Sequence, residues 1–183
     1  MDNKKKPFKL GILVGRFQIL HKGHSDMIRK AIELCDKVAL FVGSSQESGT
    51  LKNPLTYEMR ESILRTAFAD VDIYPLPDIG VGNNCAWGEY VLQNVIEKCG
   101  EYPDLFVSGR ESRRISWIDD SWNIAELYVP KSIDISATKM IQFVIDDNKE
   151  EFERYIEPSI KARYDDIRRT VIASQDKLDT QSI

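Results

Sequence analysis

The sequence predicts an α/β protein with a Rossmann-like, doubly wound parallel sheet of about five strands, followed by a C-terminal helical segment. Three observations predict this fold. Short apolar runs alternate with stretches whose apolar residues recur at helical spacing. The first two runs enclose one such helix, which is the pattern of a β-α-β unit with a right-handed crossover and parallel strands. Polar or glycine-containing stretches follow the runs, at the edge where open α/β folds bind ligands.

The predicted strands are apolar runs that end at glycine, serine or proline. They cover residues 10–14, 38–42, 71–76, 105–108 and 124–129. Helices are predicted at 25–35, 57–68, 87–99 and from Thr138 to about Asp147, and residues 152–178 are expected to be largely helical with a break near Pro158. Pro75 and Pro77 are expected to end the third strand, and residues 108–122 to form an irregular connection.

Length and composition indicate an ordinary globular chain. Its 183 residues suit one domain, 1–183, with a core over about 8–150 and C-terminal helices over about 151–178. The 25 Lys and Arg residues against 29 Asp and Glu residues give a net charge of −4, so no overall field attracts nucleic acid. No apolar segment reaches the roughly 20 residues of a membrane span, which argues against a membrane partner. The helix after Pro158 fits either core packing or the contact of a homo-oligomer.

The cysteines bear on the compartment. The chain has three, Cys35, Cys85 and Cys99, and they lack the spacing of metal ligands. An odd number without a pairing pattern indicates reduced thiols in a cytoplasmic protein.

The loop between the first strand and the first helix carries the strongest chemical signal. The only two histidines of the chain, His21 and His24, lie in it, together with Arg16 and Lys22. Imidazoles, fixed cations and the N-terminus of a helix together form a site for polyphosphate. Gly15 at the start of the loop lets the backbone approach a phosphate group that a Cβ would obstruct.

The same loop resembles the first motif of the nucleotidylyltransferase superfamily. The motif is Gly15-Arg16-Phe17-Gln18 followed by His21-x-Gly-His24, and its prefix is specific within the superfamily to a type similar to the archaeal nicotinamide-mononucleotide adenylyltransferases. Further matches follow in the same order: Gly43-Ser44, Asn53-Pro54-Leu55-Thr56 with Arg60, Pro77-Asp78-Ile79 before Asn84 and Trp87, and Ser136-x-Thr138. The resemblance covers residues from about 8 to 158.

The resemblance implies transfer of AMP from ATP to nicotinamide mononucleotide, which forms NAD and releases pyrophosphate. It assigns the catalytic role to His21, His24 and Arg16. The implied ATP-binding residues are Gly15, Phe17, Gln18, Lys22, Ser136, Thr138 and Arg110. The implied mononucleotide-binding residues are Gly43, Ser44, Asn53, Arg60, Asp78, Asn84 and Trp87. Mg²⁺ is expected to be held mainly by ATP oxygens, because no carboxylate cluster suggests a metal site in the protein itself.

Two positions depart from the family pattern. Ile141 stands where Ser-x-Thr-x-x-Arg would place an arginine, and Met59 stands where a glutamate usually precedes Arg60. Arg110, after the fourth strand, is a candidate for the missing phosphate-binding cation, although a solvated loop residue is the alternative.

Several other residues have a purely structural alternative to their predicted role. For Ser136 and Thr138 it is a plain helix cap, and for Trp87 it is a core aromatic residue. For Asp78 it is a turn-forming residue, and for Arg60 it is a solvated helix residue. At the level of function, the alternatives are another nucleotidylyltransferase, which uses CTP or ATP with a different phosphorylated acceptor, or a nucleotide-binding protein with weak or no catalysis.

Overall fold

The computed structural model describes residues 5–80, 84–109 and 117–181. Its centre is a parallel sheet of five strands in the order β3-β2-β1-β4-β5. The strands are β1 (Phe8–Gly15), β2 (Cys35–Gly43), β3 (Asp72–Leu76), β4 (Leu105–Ser108) and β5 (Ala125–Tyr128). The predicted fold class, an α/β Rossmann-like sheet, is confirmed.

Helices cover both faces of the sheet. They are α1 (Lys22–Leu34), α2 (Tyr57–Ala67), α3 (Asn84–Cys99), α4 (Ala137–Ile145), α5 (Lys149–Tyr155) and α6 (Tyr164–Gln181), with short 3-10 helices at Asp120–Trp122 and Pro158–Arg163. Val91 and Val95 of α3 pack in one core cluster with the strand residue Phe41, whereas the buried residues of the other helices pack in a second cluster. Alternate residues of β2 point to opposite faces, so each cluster receives half of the strand.

The strand order creates a switch point between β1 and β4. From β1 the chain adds β2 and β3 on one side, and then returns to add β4 and β5 on the other. In such sheets the ligand crevice lies beyond the carboxyl ends of the strands at the switch point. The segment between Gly15 and Lys22 leaves β1 at this place.

The first helix begins earlier than the predicted boundary. Residues 25–35 were the predicted span, but α1 starts at Lys22 because His21 caps it: the Nδ1 atom of His21 accepts a hydrogen bond from the backbone N–H of His24. Cys35, assigned to the helix by its spacing, is instead the first residue of β2 and pairs with Phe8. The strand β2 follows α1 directly, so the sequence contains no turn signal that would mark the boundary.

Pro75 does not end the third strand as predicted. It lies inside β3 opposite Val42. A proline is tolerated there because β3 is an edge strand, so its missing N–H leaves no partner unsatisfied on the open side. The third helix also starts earlier than expected, at Asn84 rather than Trp87.

The C-terminal helices join the main core. Ile156, Ile160, Ile167 and Val171 are fully buried in the cluster that also holds the inner faces of α1 and α2. Of the two interpretations of this segment, core packing is therefore confirmed for these residues. Cys35, Cys85 and Cys99 form no disulfide. None of the helices within the described residues has the length and apolar character that crossing a membrane requires.

Candidate active site

Two stacked histidines form the centre of the site. The ring centroids of His21 and His24 lie 3.8 Å apart and the ring planes are 16° from parallel. His21 is the N-cap of α1, and its Nδ1 atom lies 3.3 Å from the backbone nitrogen of His24. Because Nδ1 accepts this hydrogen bond, the proton of the neutral ring is assigned to Nε2. Nε2 of His21 can therefore donate to an anionic ligand.

Two neighbours hold the histidine rings in place. A Cβ at Gly23 would lie 3.2 Å from Nδ1 of His21, so glycine at this position gives the ring its space. On the other side, the ring of Phe17 lies 5.2 Å from that of His24. Phe17 is buried and adopts a positive φ of 47°, which turns the chain sharply between Arg16 and Gln18. The side chain of Phe17 lies in the core, so the predicted contact with ATP, which stays a prediction, would have to be made by its backbone.

Both histidines are neutral near pH 7. Burial lowers the pKa of His21 to about 4, and the positive charge of Lys131 acts in the same direction. Burial also holds the pKa of His24 well below its ordinary value, with further contributions from His21 and Lys131, while a backbone hydrogen bond with Ile19 opposes them. Nδ1 of His24 is buried and has no hydrogen-bond partner among the described residues. The pair therefore offers hydrogen-bond donors rather than two fixed charges.

Arg16 is held by the loop after β2. Its Nη1 atom donates to the carbonyl of Lys52 and to Oδ1 of Asn53, each at 3.3 Å. Asn53 is fully buried, and its Oδ1 also accepts a hydrogen bond from Nε2 of Gln18. Oε1 of Gln18 in turn accepts from the backbone N–H of Leu55 at 3.0 Å. The structure brings Arg16, Gln18 and Asn53 together, but the two amides serve to join the loops, while Arg16 stays exposed.

Arg60 lies behind these loops rather than on their surface. Its side chain is fully buried. Its guanidinium donates to the carbonyls of Arg16, Gly43 and Ser44 at 2.9–3.0 Å, and to that of Thr56 at 3.2 Å. The solvated alternative is wrong, because the side chain is buried. Since its guanidinium donates to these carbonyls, Arg60 sets the spacing of the loops after β1 and β2, and its contact with the mononucleotide stays a prediction.

Ser44 and Asp78 connect the loops after β2 and β3. The hydroxyl of Ser44 donates to Oδ2 of Asp78 at 2.6 Å, and the backbone of Asp78 exchanges hydrogen bonds with the side-chain amide of Gln46. Ser44 has a positive φ of 48° and is buried, whereas Asp78 is exposed. One carboxylate oxygen of Asp78 is therefore held by Ser44 at the edge of the site.

The fourth helix presents its N-terminus without an arginine. Ser136 is the N-cap, its Oγ accepts from the backbone N–H of Lys139 at 3.2 Å, and Thr138 is exposed in the first turn. Ile141 packs in the core, so the family's arginine position faces away from solvent. Met59, at the other departure, packs against the same cluster, and its sulfur accepts a hydrogen bond from the hydroxyl of Thr170 on α6. At both positions the side chain therefore belongs to core packing.

The remaining predicted ligands lie at the start of α3 or outside the described residues. Asn84 is exposed at the first position of α3. Trp87, one turn on, packs against the core cluster on that face of the sheet, and its ring lies 5.6 Å from that of Tyr90. Trp87 is only half-buried, so part of its surface is open. Arg110 lies outside the described residues.

Two lysines near the site have contacts or effects that the sequence did not indicate. Lys22 donates to the carbonyl of Arg154 at 2.6 Å, which ties the histidine loop to α5, and its predicted contact with ATP stays a prediction. Lys131, in the loop after β5, carries no motif, yet its charge acts on both histidines. The only sequence signal for it was its position shortly after a predicted strand, at the ligand-binding edge. Across the described residues, no group of three His, Cys, Asp or Glu side chains could hold a metal ion.

An open parallel sheet with a histidine-containing loop at its switch point defines a doubly wound α/β protein whose ligand crevice is expected at that loop. More specifically, the chain belongs to the cytidylyltransferase-like family, whose model matches residues 12–155. The family resemblance expected from the sequence is thereby confirmed.

Part of the chain is also similar in sequence to individual curated proteins. The chain is 40% identical over 88 residues to a nicotinamide-nucleotide adenylyltransferase of Saccharolobus solfataricus, a match that covers 44% of this chain and 50% of the relative. A second, from Thermococcus kodakarensis, is 37% identical over 94 residues, covering 48% of this chain and 49% of the relative. The chain thus spans about half the length of the curated relatives it matches.

Among solved structures, a bifunctional NMN adenylyltransferase/ADP ribose pyrophosphatase from Francisella tularensis, in complex with AMP and a Mn ion, has the same fold. It superposes with a TM-score of 0.70 at 20% identity, over 94% of this chain and 54% of that chain.

Proposed function

We propose that this protein is a nicotinamide-nucleotide adenylyltransferase, which transfers AMP from ATP to nicotinamide mononucleotide and releases pyrophosphate. The observation that carries the proposal is the stacked pair of His21 and His24 at the N-terminus of α1, beyond the switch point of the sheet. The names of the relatives that share about 40% identity over half of the chain support the choice of substrates.

In this reaction a phosphate oxygen of the mononucleotide attacks the α-phosphorus of ATP. A P–O bond forms on one side of that phosphorus, and the bond to the leaving pyrophosphate breaks on the other. Such transfers need in-line positioning and stabilisation of developing negative charge rather than a covalent intermediate. Nε2 of His21, the imidazole of His24 and the exposed guanidinium of Arg16 are the groups proposed to face that charge.

The acceptor is proposed to bind between the loops after β2 and β3 and the start of α3. The carboxylate of Asp78, held by Ser44, would orient it through hydrogen bonds, and Asn84 would supply a second polar contact. The open part of Trp87 would stack on the nicotinamide ring, where a pyridinium over indole gains about 0.5–2 kcal/mol. Ser136 and Thr138, at the N-terminus of α4, are proposed to receive the outer phosphates of ATP.

Mg²⁺ is the proposed metal, brought in by the phosphates of ATP. The donor set fits this arrangement, because the described residues contain no carboxylate cluster to hold the ion without the nucleotide. A Mn ion accompanies AMP in the Francisella tularensis protein, which supports a divalent ion. We further propose a single domain over 1–183 that acts in the cytoplasm, with a homo-oligomer to be tested by size-exclusion chromatography.

The test is a direct assay with purified protein, Mg²⁺, ATP and nicotinamide mononucleotide. We expect NAD and pyrophosphate in equal amounts. His24→Ala should retain the far-UV spectrum of the fold and lose two or more orders of magnitude in turnover. Wild-type turnover by His24→Ala would remove the proposed role of the pair, and no NAD from the wild type would remove the proposed function.

One observation favours a second function, a nucleotide-binding protein with little catalysis: Ile141 is buried where the family places a cation. Tight binding of NAD with no pyrophosphate release from any nucleotide pair would identify it. The remaining alternative is another nucleotidylyltransferase. Activity assays with CTP and with other phosphorylated acceptors distinguish it from the proposed enzyme.

A further inference from the structure

The cationic side chains around the histidine pair differ in whether they already form hydrogen bonds or ion pairs with other groups of the protein. Arg60 is buried against carbonyls, and Nζ of Lys22 donates to the carbonyl of Arg154. Arg16 shares its guanidinium with the loop after β2. Lys139, in the first turn of α4, forms an ion pair with Asp134 at 2.6 Å. Within the described residues, Lys131 alone of these five side chains has neither a hydrogen bond nor an ion pair.

The segment that carries Lys131 is fixed against the histidine loop. The N–H of Val129 donates to the carbonyl of Ser108, which sets the start of the segment at the carboxyl edge of the sheet. The hydroxyl of Ser132, the next residue after Lys131, donates to Oδ2 of Asp26 in α1 at 2.8 Å. At the end of the segment, Ile135 is buried, and its Cγ2 would lie 3.7 Å from a Cβ on Gly23. Lys131 is thus held beside the N-terminus of α1.

We propose that Lys131 is a phosphate-binding cation of the site, which contacts the polyphosphate of the nucleotide beside His21 and His24. This inference rests on the proposed function for the identity of the nucleotide. It accounts for an exposed lysine that has no hydrogen bond or ion pair among the described residues and is held beside the N-terminus of α1.

The electrostatics of the site agree with this placement. The charge of Lys131 lowers the pKa of both His21 and His24, so its ammonium group is close enough to affect both rings. Two neutral histidines and one ammonium group suit a ligand that brings negative charge into the site. The lysine can contact a phosphate group without first breaking an ion pair.

Binding of ATP and of inorganic pyrophosphate, each alone with Mg²⁺, tests the proposal by calorimetry. We expect Lys131→Met to raise the Kd for both probes about tenfold, which is the loss of one charged hydrogen bond. Lys131→Arg should stay within about threefold of the wild type, since the charge is kept. Lys30→Met is the matched control: it removes an exposed lysine of α1 that is paired with Glu33, and it should change the Kd less than twofold.

A second readout does not depend on turnover. The chain has only two histidines, so their ring signals can be followed by NMR without crowding. Lys131→Met should raise the pKa of His21 above that in the wild type, whereas Lys30→Met should leave it unchanged. Unchanged ligand affinity in Lys131→Met, or an equal loss in Lys30→Met, overturns the proposal.

The two proposals fail in different ways. Normal NAD formation by the wild type with unaltered pyrophosphate binding by Lys131→Met would overturn the role of Lys131 alone. Weakened pyrophosphate binding by that variant in a protein that forms no NAD would retain the phosphate site and overturn the adenylyltransferase. Failure of the wild type to bind either probe would overturn both.

Discussion

Nη2 of Arg29 donates to both carboxylate oxygens of Glu157, at 2.8 and 2.9 Å. The carboxylate is almost fully buried, while the guanidinium is half exposed. Glu157 also donates its backbone N–H to the carbonyl of Leu20, and its neighbour Ile156 forms an antiparallel bridge with His21. The ion pair thus joins the C-terminal segment to α1, and the backbone contacts of Ile156 and Glu157 join it to the loop that leads to His21.

Loss of this ion pair should be costly because it leaves a buried carboxylate without its partner. We expect Arg29→Met to lower the free energy of unfolding by about 1–3 kcal/mol in urea denaturation at pH 7. Lys30→Met is the control. Its exposed pair with Glu33 on the same helix should be worth less than about 0.5 kcal/mol. Equal effects of the two substitutions would show that the buried contact adds nothing.

Arg60→Lys should destabilise the fold strongly. A lysine has a single nitrogen and cannot reach the carbonyls of Arg16, Gly43 and Ser44 together, so buried acceptors would lose their donors. We expect a loss of about 2–4 kcal/mol in the free energy of unfolding. Arg65→Lys, on the exposed face of the same helix, should cost less than about 0.5 kcal/mol. If Arg60→Lys is as stable as Arg65→Lys, the arginine does not join the loops in solution.

The histidine cap predicts how stability depends on pH. The pKa of His21 is about 4 in the folded protein and about 6.5 in the unfolded chain. Above pH 6.5 the ring is neutral in both states and contributes no pH dependence. Between pH 6.5 and 4 only the unfolded chain takes up the proton, so stability falls as the pH falls.

For His21 this amounts to about 2 kcal/mol between pH 7 and pH 5. His21→Asn retains a good N-cap residue and removes the titrating group. Urea denaturation at the two pH values should therefore show a loss that is smaller in the variant by about that amount. The same loss in both proteins would mean that His21 is protonated normally in the folded state.

Gly23→Ala should separate stability from activity. Gly23 lies inside α1, where alanine favours the helix by about 1 kcal/mol. The new Cβ would crowd the ring of His21 at 3.2–3.3 Å and displace it. We expect turnover to fall about tenfold or more, because a small displacement of a catalytic side chain from its reactive position slows the reaction strongly. Stability should change by less than about 1 kcal/mol. Wild-type turnover would show that the ring has room to spare.

Local signals in the sequence predicted most of the fold. Apolar runs and helical spacing identified the five strands and the main helices, because each depends on neighbours in the chain. The boundaries were less accurate where a tertiary or side-chain contact decides them. His21 starts α1 three residues early by capping it, and Pro75 stays in β3 because the strand lies at an edge.

The sequence also predicted where the chemistry would lie, in the segment after the first strand that carries both histidines, and the chain belongs to the cytidylyltransferase-like family. Only the tertiary structure decided what the individual side chains do. Arg60 is buried and joins loops through backbone carbonyls, and burial keeps both histidines neutral. The tertiary structure also placed Ile141 in the core and Lys131 beside the histidines. These outcomes depend on solvent exposure and on contacts between residues far apart in the chain, which the order of amino acids alone does not display.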